Sequence, residues 1–252
     1  MHKSVLITGA KGFIGSNFKK KLESVKNIEI FEYNRGTQWE ELENYIEKID
    51  FIFHFAGEVR PKSDDDEFQK SNYELTARLI DLVEQKNKKI PILMASTIHA
   101  VLLKNEYGKT KREAERYLEA YGKRHNTPVW IFRLPHVFGE GCKPDYNSVI
   151  STWMHNSVYD KEITVFDRSI AMTYVYVQDI VGEFIDCLMS KQEESEGSVY
   201  IEPKITYNTT LGEVVDHIAE FKENIDNADY AINGDDFKKK LFKTYQSYHN
   251  MK

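Results

Sequence analysis

The 252-residue chain has only two cysteines, Cys142 and Cys187, far apart and without Cys-x-x-Cys spacing. That excludes a disulfide framework and gives no signature of zinc or any other metal. Long apolar runs are also missing: the longest is about eight residues, against the roughly 20 a membrane span needs. The start, MHKSVLITGA, goes directly into a strand-like run and lacks the n-region and h-region of a secretory signal. There is no excess of positive charge either. A net charge of −6 argues against a nucleic-acid surface as the main business of the chain. No repeat or low-complexity tract is evident. These absences leave a cytoplasmic protein of a reducing compartment, with a small-molecule partner, no nucleic acid and no membrane.

What is present is enough for a core, with 41% of residues hydrophobic. A single core can be sustained to roughly 250–300 residues, so one α/β domain, or one domain with a small appendage, accommodates the length. SVLITGA (4–10) reads as a strand and FIGSNFKKKLESV (13–25) as a helix, with Phe13, Ile14, Phe18 and Leu22 near helical spacing. IEIFEYN (28–34), WEELENYIEKI (39–49) and DFIFHFAG (50–57) continue as strand, helix and buried strand. YELTARLIDLVEQKN (73–87) is a helix, KIPILMAST (89–97) a buried strand, and PVWIFRLPHVFG (128–139) a further strand after a charged helix. The alternation predicts a Rossmann-type doubly wound parallel sheet.

Beyond residue 140 the order changes. NSVISTWMHN (147–156) and QDIVGEFIDCLMSK (178–191) read as helices, EITVFD (162–167) and MTYVYV (172–177) as short strands. Thr210 lies three residues before Glu213, the spacing of a capping box that opens a helix. DDFKKKLFKTYQSYHNMK is an amphipathic helix, and DDDE (64–67) a solvated loop or helix start. The expected division is a dinucleotide-binding domain over 1–165, continuing at 168–190, and a substrate-binding lobe from 140–165 and 192–252.

The first chemical signal is TGAKGFIG (8–15), which sets Gly9, Gly12 and Gly15 at the first strand–helix junction. Glycines there allow a tight turn, close approach to a pyrophosphate and packing of helix on strand, while the helix N-terminus favours the anion. The end of the second strand should then read the ribose. Glu32 at the tip would take a 2′-hydroxyl and select NAD; Arg35 there would pair with a 2′-phosphate and select NADP. NADPH is the expected cofactor, with Phe13, Ile14, Asn34, Arg35, Ala56 and Gly57 completing the predicted site.

The second signal is YGKTK (107–111), a tyrosine four residues before a lysine. Alone it suits a solvated helix edge. In a dinucleotide-binding chain, following a strand that ends AST (95–97), it resembles the extended branch of the short-chain dehydrogenase/reductase superfamily. That resemblance implies that Tyr107 is the acid/base, that Lys111 lowers its pKa and holds the cofactor ribose, and that Ser96 or Thr97 supplies a hydroxyl to the substrate oxygen. It also implies that Asn72 joins a proton-relay water site, with a plain N-cap as the alternative, and that His54 is a structural hydrogen-bonding residue beside the cofactor.

A closer resemblance covers nearly the whole chain. VLITGAKGFIG, DFIFHFAGEVRP, RLPHVFGEGCKPDYNSVI, TLGEVVD and LFKTYQSY look like the reductase domain of capsular-polysaccharide enzymes of the UDP-N-acetyl-fucosamine type, and more distantly like dTDP-4-dehydrorhamnose reductases. The resemblance implies NADPH-dependent reduction at C4 of a UDP-2-acetamido-2,6-dideoxy-hexos-4-ulose. Some such enzymes carry a C-terminal cupin domain for C3 epimerisation, and this chain stops where that domain would begin, so a separate 3-epimerase is one expected partner. Intrinsic epimerisation is the alternative. By likeness to a related single-domain GDP-fucose synthase, its acid/base candidates would be His99, His136 and Cys142. Extended relatives often have Asn at His136 and Arg at Met172, so Arg133, Lys143 or Arg168 would have to hold the diphosphate. Tyr146 and Asn147 are candidate sugar or uracil contacts, with a local helix cap by Asp145 or Asn147 as the competing view. Two readings rival the reductase: a non-catalytic NADP(H)-binding regulator, and a redox-neutral epimerase or dehydratase that retains NAD, although STIHA lacks the Asp–Glu pair typical of a dehydratase. Helices at 73–87 and 110–124 could form the homodimer interface common in the superfamily, or simply pack on the sheet.

Overall fold

The alternation becomes a parallel sheet in the computed structural model, which describes residues 2–60, 66–190, 198–227, 230 and 234–252. In chain order the elements are β1 (Lys3–Thr8), α1 (Phe13–Leu22), β2 (Ile28–Tyr33), α2 (Trp39–Ile46), β3 (Phe51–His54), α3 (Asp66–Phe68), a π-helical stretch (Gln69–Glu74), α4 (Leu75–Gln85), β4 (Ile92–Thr97), α5 (His99–Leu102), α6 (Glu106–His125) and β5 (Val129–Leu134). They continue as β6 (His136–Phe138), α7 (Val149–Val158), β7 (Ala171–Tyr176), α8 (Val177–Met189), β8 (Ser198–Ile201), β9 (Tyr207–Thr210), α9 (Leu211–Asn224) and α10 (Asp236–His249). Among the described residues, no helix is long and apolar enough to cross a membrane. Two units result: Met1–Leu134 with Val181–Pro203, and Pro135–Ile180 with Lys204–Lys252.

In the first unit six strands pair in the order β2-β1-β3-β4-β5-β8, all parallel. The expected doubly wound sheet is therefore present. β1 has β2 on one side, with Thr8 opposite Tyr33, and β3 on the other, with Thr8 opposite His54. The connections leaving β1 and β3 diverge there and open a crevice at their carboxyl ends, where such sheets bind ligands. One core brings together Leu6, Ile52 and Met94 of the sheet with Leu42, Ile46, Leu79, Val83, Leu118 and Tyr121 of α2, α4 and α6. The apolar stripes of α4 and α6 are thus used on the sheet. Phe18 and Phe184 join Phe53, Phe55 and Phe132 in a second set of ring contacts. Each fully buried side chain of this size contributes roughly 1.5–3 kcal/mol.

The second unit carries a three-stranded sheet, β6-β7-β9, parallel then antiparallel. Its core is mostly aromatic: Phe138, Trp153, Tyr174, Tyr176, Phe221, Phe237, Phe242, Tyr245 and Tyr248. The capping box of α9 forms as expected, with Thr210 Oγ1 accepting from Glu213 N and Glu213 Oε2 accepting from Thr210 N, worth about 1 kcal/mol.

Several expectations need correction. The single strand expected over 128–139 is two strands in two sheets, because Pro135 lacks the N–H that would continue the ladder. Residues 162–167 form no strand. Ile163 and Val165 do turn towards the core while Phe166 is fully exposed, so the alternation is real. However, β7 already has β6 and β9 as neighbours. The unit boundaries also differ from those expected: β8 is the outer strand of the parallel sheet, and residues 168–180 belong with the second unit. The expected lobe residues 192–197, and Asp64 and Asp65 of the acidic run, lie outside the described residues; Asp66 and Glu67 open α3.

Candidate active site

Gly9 follows β1 with φ +71°, in the left-handed region, and a Cβ there would lie 2.8 Å from Ala56 N. A Cβ at Gly15 would lie 2.2 Å from Gly9 O. Both positions therefore exclude a side chain, one by conformation and contact, the other by contact alone. Gly12 N donates to Gly9 O at 2.9 Å and Gly12 caps α1. The first turn of α1 begins with the half-buried Phe13 and Ile14 and carries no acidic side chain. From the end of β2, Asn34 Oδ1 accepts from Lys11 N at 2.9 Å, tying the turn down. Glu32 is not at the tip: it pairs with Lys19 Nζ at 2.6 Å. Arg35 is exposed beyond the tip, its Nη2 lying 3.3 Å from Glu58 Oε2 and 3.4 Å from Glu67 Oε1. This cradle of backbone, with a helix N-terminus at its base, fits the diphosphate of a dinucleotide.

A directional chain of hydrogen bonds fixes the floor of the crevice. Ala56 N donates to Thr8 Oγ1 at 3.2 Å, and Thr8 Oγ1 bonds His54 Nδ1 at 2.7 Å. His54 Nε2 bonds Thr76 Oγ1 at 2.8 Å, and Thr76 Oγ1 donates to Asn72 O at 2.7 Å. Because Thr76 spends its proton on Asn72, His54 must carry its own on Nε2. Burial, helped by the charge of Lys111, pushes His54 down to about 3, so it is neutral, in keeping with the expected structural role. Asn72 is neither an N-cap nor solvated. It lies inside the π-helical stretch; its Oδ1 accepts from Glu58 N at 2.8 Å, and its Nδ2 donates to Glu58 O at 3.1 Å and to Thr110 Oγ1 at 3.4 Å. A Cβ on Gly57 would come within 2.7 Å of Asn72 Oδ1 and 4.0 Å of Lys111 Nζ.

α6 starts at its cap Asn105, whose Oδ1 accepts from Gly108 N at 2.8 Å. Gly108 is the glycine of YGKTK. A Cβ there would fall 2.3 Å from His99 O, so α5 packs on the first turn of α6 only because no side chain intervenes. Tyr107 and Lys111 then project one turn apart. Burial raises the Tyr107 phenol to about 12, with the neighbouring Thr97 hydroxyl acting in the opposite direction. The expectation that Lys111 sets a low phenol pKa is therefore corrected, because desolvation dominates. Lys111 is buried, donates to Ala95 O at 2.8 Å, and is lowered by burial to about 8, with Glu115 acting in the opposite direction.

Ser96 and Thr97 are adjacent on β4 and take different partners. Ser96 Oγ donates to Glu115 Oε1 at 2.5 Å, leaving Thr97 as the hydroxyl beside Tyr107. Arg133 is also committed to Glu115, through Nε at 3.2 Å and Nη2 at 2.8 Å, and stacks 3.9 Å from the Tyr200 ring centroid. That engagement speaks against its holding a diphosphate. Glu115 is a residue the sequence reading missed, and its place four residues after Lys111 was the available signal. His99 N donates to Thr97 Oγ1 at 3.2 Å, and its ring lies 6.1 Å from that of Tyr107.

In the second unit, His136 opens β6, with its ring 5.9 Å from Tyr174. Cys142 is 2% exposed; burial raises its thiol to about 12, so it is a protonated core residue and a poor proton-transfer base. Asn147 Oδ1 accepts from Lys143 N at 2.9 Å, closing a local turn; the cap of α7 is Ser148, rather than Asp145 or Asn147. Arg168 pairs with Asp216 at 2.6 Å and donates to Gly212 O at 3.3 Å.

Residues 5–201 match the NAD dependent epimerase/dehydratase family, and the chain belongs to it. Over 244 residues it is 36% identical to a UDP-2-acetamido-2,6-beta-L-arabino-hexul-4-ose reductase of Pseudomonas aeruginosa, covering 97% of this chain and 64% of that protein. The crystal structure of the capsular polysaccharide assembling protein CapF from Staphylococcus aureus aligns with a TM-score of 0.81 and 36% identity, over 97% of this chain and 65% of that one. The chain thus spans about two thirds of the length of these relatives. A Thermotoga maritima UDP-glucose 4-epimerase aligns with a TM-score of 0.80 at 17% identity, over 98% of this chain and 99% of that one, a likeness of fold alone.

Proposed function

We propose that this chain reduces the C4 ketone of a UDP-2-acetamido-2,6-dideoxy-4-keto-hexose, using NADPH, to make a deoxyamino-sugar nucleotide for a surface glycan. The observation that carries the reading is Tyr107 with the Thr97 hydroxyl beside it and Lys111 one helical turn on, in a chain similar over nearly its whole length to a hexul-4-ose reductase. NADPH, when bound, supplies the hydride. Tyr107 delivers a proton to the sugar's C4 oxygen; its high pKa keeps that proton in place through the neutral range. The Thr97 hydroxyl orients the same oxygen beside the phenol. Lys111, the residue assigned to the ribose, holds its charge against burial and steadies the developing phenolate. NADPH is preferred to NADH because Arg35 and Asn34, rather than Glu32, follow β2, and a 2′-phosphate offers the exposed guanidinium a bidentate partner. Cys142 is set aside as a proton-transfer group for C3, because burial keeps its thiol protonated.

The test is Tyr107→Phe, followed at 340 nm with the 4-keto sugar and NADPH in deuterated water. Turnover should fall by roughly 10²–10⁴-fold or more while NADPH binding persists, and the wild type should consume NADPH without deuterium at C3. A variant that keeps its rate would remove Tyr107 from the chemistry, and label at C3 in the wild-type product would restore intrinsic epimerisation.

A further inference from the structure

The face of α6 that carries Tyr107 and Lys111 continues to a third position at the same spacing, Glu115. Its side chain is fully buried, where an ionised carboxylate survives only if it is well supplied with donors. It has four: Ser96 Oγ at 2.5 Å and Arg133 Nε at 3.2 Å on Oε1, and Arg112 Nη1 and Arg133 Nη2, each at 2.8 Å, on Oε2. Burial raises this carboxyl, and the bonds from Arg133, Ser96 and Arg112 outweigh it, leaving Glu115 below the ordinary range and charged. The arginines are held in turn. Arg112 donates to Tyr200 Oη at 2.8 Å, Tyr200 donates to Glu119 at 3.1 Å, and Arg133 lies over the Tyr200 ring.

Lys111 lacks such supply. Its ammonium donates to Ala95 O of β4, and from β3 it faces His54, which is neutral. Tyr107 on its own helix is neutral as well. The Glu58 carboxylate, beyond β3, accepts from the amides of Val59 and Arg60 and pairs with Arg35. Glu115 is the carboxylate whose attraction works against the desolvation of Lys111.

We propose that Glu115 is a positioning residue that keeps Lys111 charged, with Ser96 and Arg133 sufficing to keep Glu115 itself ionised and fixed. This rests on the reading of Lys111 as the cofactor-ribose residue, and it gives Ser96 and Arg133 a task away from the substrate. Removing the carboxylate has one sign: the attraction is lost and two guanidiniums are left uncompensated, and both changes disfavour a charged Lys111.

The test is the dissociation constant of NADPH, by calorimetry, from pH 6 to 10, for the wild type and for Glu115→Gln, Glu115→Asp, Arg112→Gln and Lys111→Met. Wild-type binding should weaken as pH rises through Lys111's value of about 8. In Glu115→Gln the midpoint should move to lower pH by about one unit, while Glu115→Asp, which disturbs the packing but keeps the charge, should return it close to the wild type. Arg112→Gln removes a cation and should move it the opposite way or leave it in place; this half-exposed position also serves if Glu115→Gln does not fold. A uniform loss of affinity in Glu115→Gln with an unmoved midpoint, or equal acid shifts in Glu115→Gln and Arg112→Gln, would make the network purely structural and overturn the proposal. A pH dependence retained in Lys111→Met would instead overturn the assignment of Lys111, and the Glu115 inference with it, while the Tyr107→Phe result stands separately.

Discussion

The two units bury different chemistry. In the first, the buried polar side chains are linked: Thr8, His54, Thr76 and Asn72 in one chain, and Ser96, Glu115, Arg112 and Arg133 in another. In the second, the core is built of rings whose polar ends are settled singly. Tyr176 donates to Glu140 at 2.8 Å, Tyr248 to Cys142 O, and Tyr245 meets Ser157 at 3.0 Å; Tyr174 Oη is buried with no partner among the described residues. A linked network fixes orientation and protonation together, as proton transfer requires. An aromatic core fixes shape. The difference also sets how each unit responds to pH. His54 is a base held below its ordinary pKa, whereas Tyr174, Tyr176 and Tyr248, together with Cys142, are acids held above theirs, mainly by burial. The first unit is therefore exposed to acid through His54, while buried phenols, Tyr107 and Tyr121 in the first unit among them, expose both units to alkali.

The largest effect should come from breaking the aromatic core. Phe221 is fully buried, with ring contacts to Phe242 at 5.1 Å and Tyr245 at 5.8 Å. Phe221→Ala should destabilise the second unit by about 3–5 kcal/mol, equally at pH 5 and pH 8. Hydrogen exchange should register the loss in α7, α9 and α10. A loss of equal size in the six-stranded sheet would show that the two units unfold as one.

The parallel sheet and the glycine turn were legible because they rest on local rules. Apolar runs alternate with amphipathic ones, and Gly9 and Gly15 occupy positions where any side chain collides with backbone. What was illegible depends on neighbours brought in from elsewhere. Ser96 and Thr97 are equivalent in sequence; only the approach of Glu115 and Tyr107 separates them. Asn72 reads as a helix start, since a π-helical stretch has the composition of an α-helix and differs only in hydrogen bonding. Gly108 goes unread within YGKTK, and its role shows only once His99 O is found against it. Arg133 reads as a diphosphate candidate and Glu115 goes unread, although in the fold they satisfy one another at the sheet.

A smaller effect should separate the units by pH. His54 is 1% exposed and is lowered to about 3, so between its unfolded value and that point the unfolded chain binds a proton the folded chain refuses. Its contribution is complete above pH 6.5 and is lost as pH falls towards 3. By pH 4.5 the loss should reach roughly 2–3 kcal/mol. Urea midpoints of the wild type and His54→Asn should therefore converge as the pH is lowered, the variant being weaker at pH 7. Parallel curves would mean that His54 titrates normally and that the directional chain through Thr8 and Thr76 is not closed in solution.

The smallest effect sharpens the comparison most. Cys142 is, with His136, one of the two residues of the second unit that the resemblance offered for proton transfer, yet its thiol is buried and raised to about 12. A thiol in that state has almost no thiolate at neutral pH and so cannot take a proton from sugar C3. Cys142→Ala should then cost about 1 kcal/mol in stability and leave both NADPH consumption and the absence of C3 label unchanged. If the substitution instead lowered the rate while leaving the urea midpoint intact, the chemistry would not be confined to the first unit. The aromatic core would then have to be credited with holding a reactive group as well as a shape.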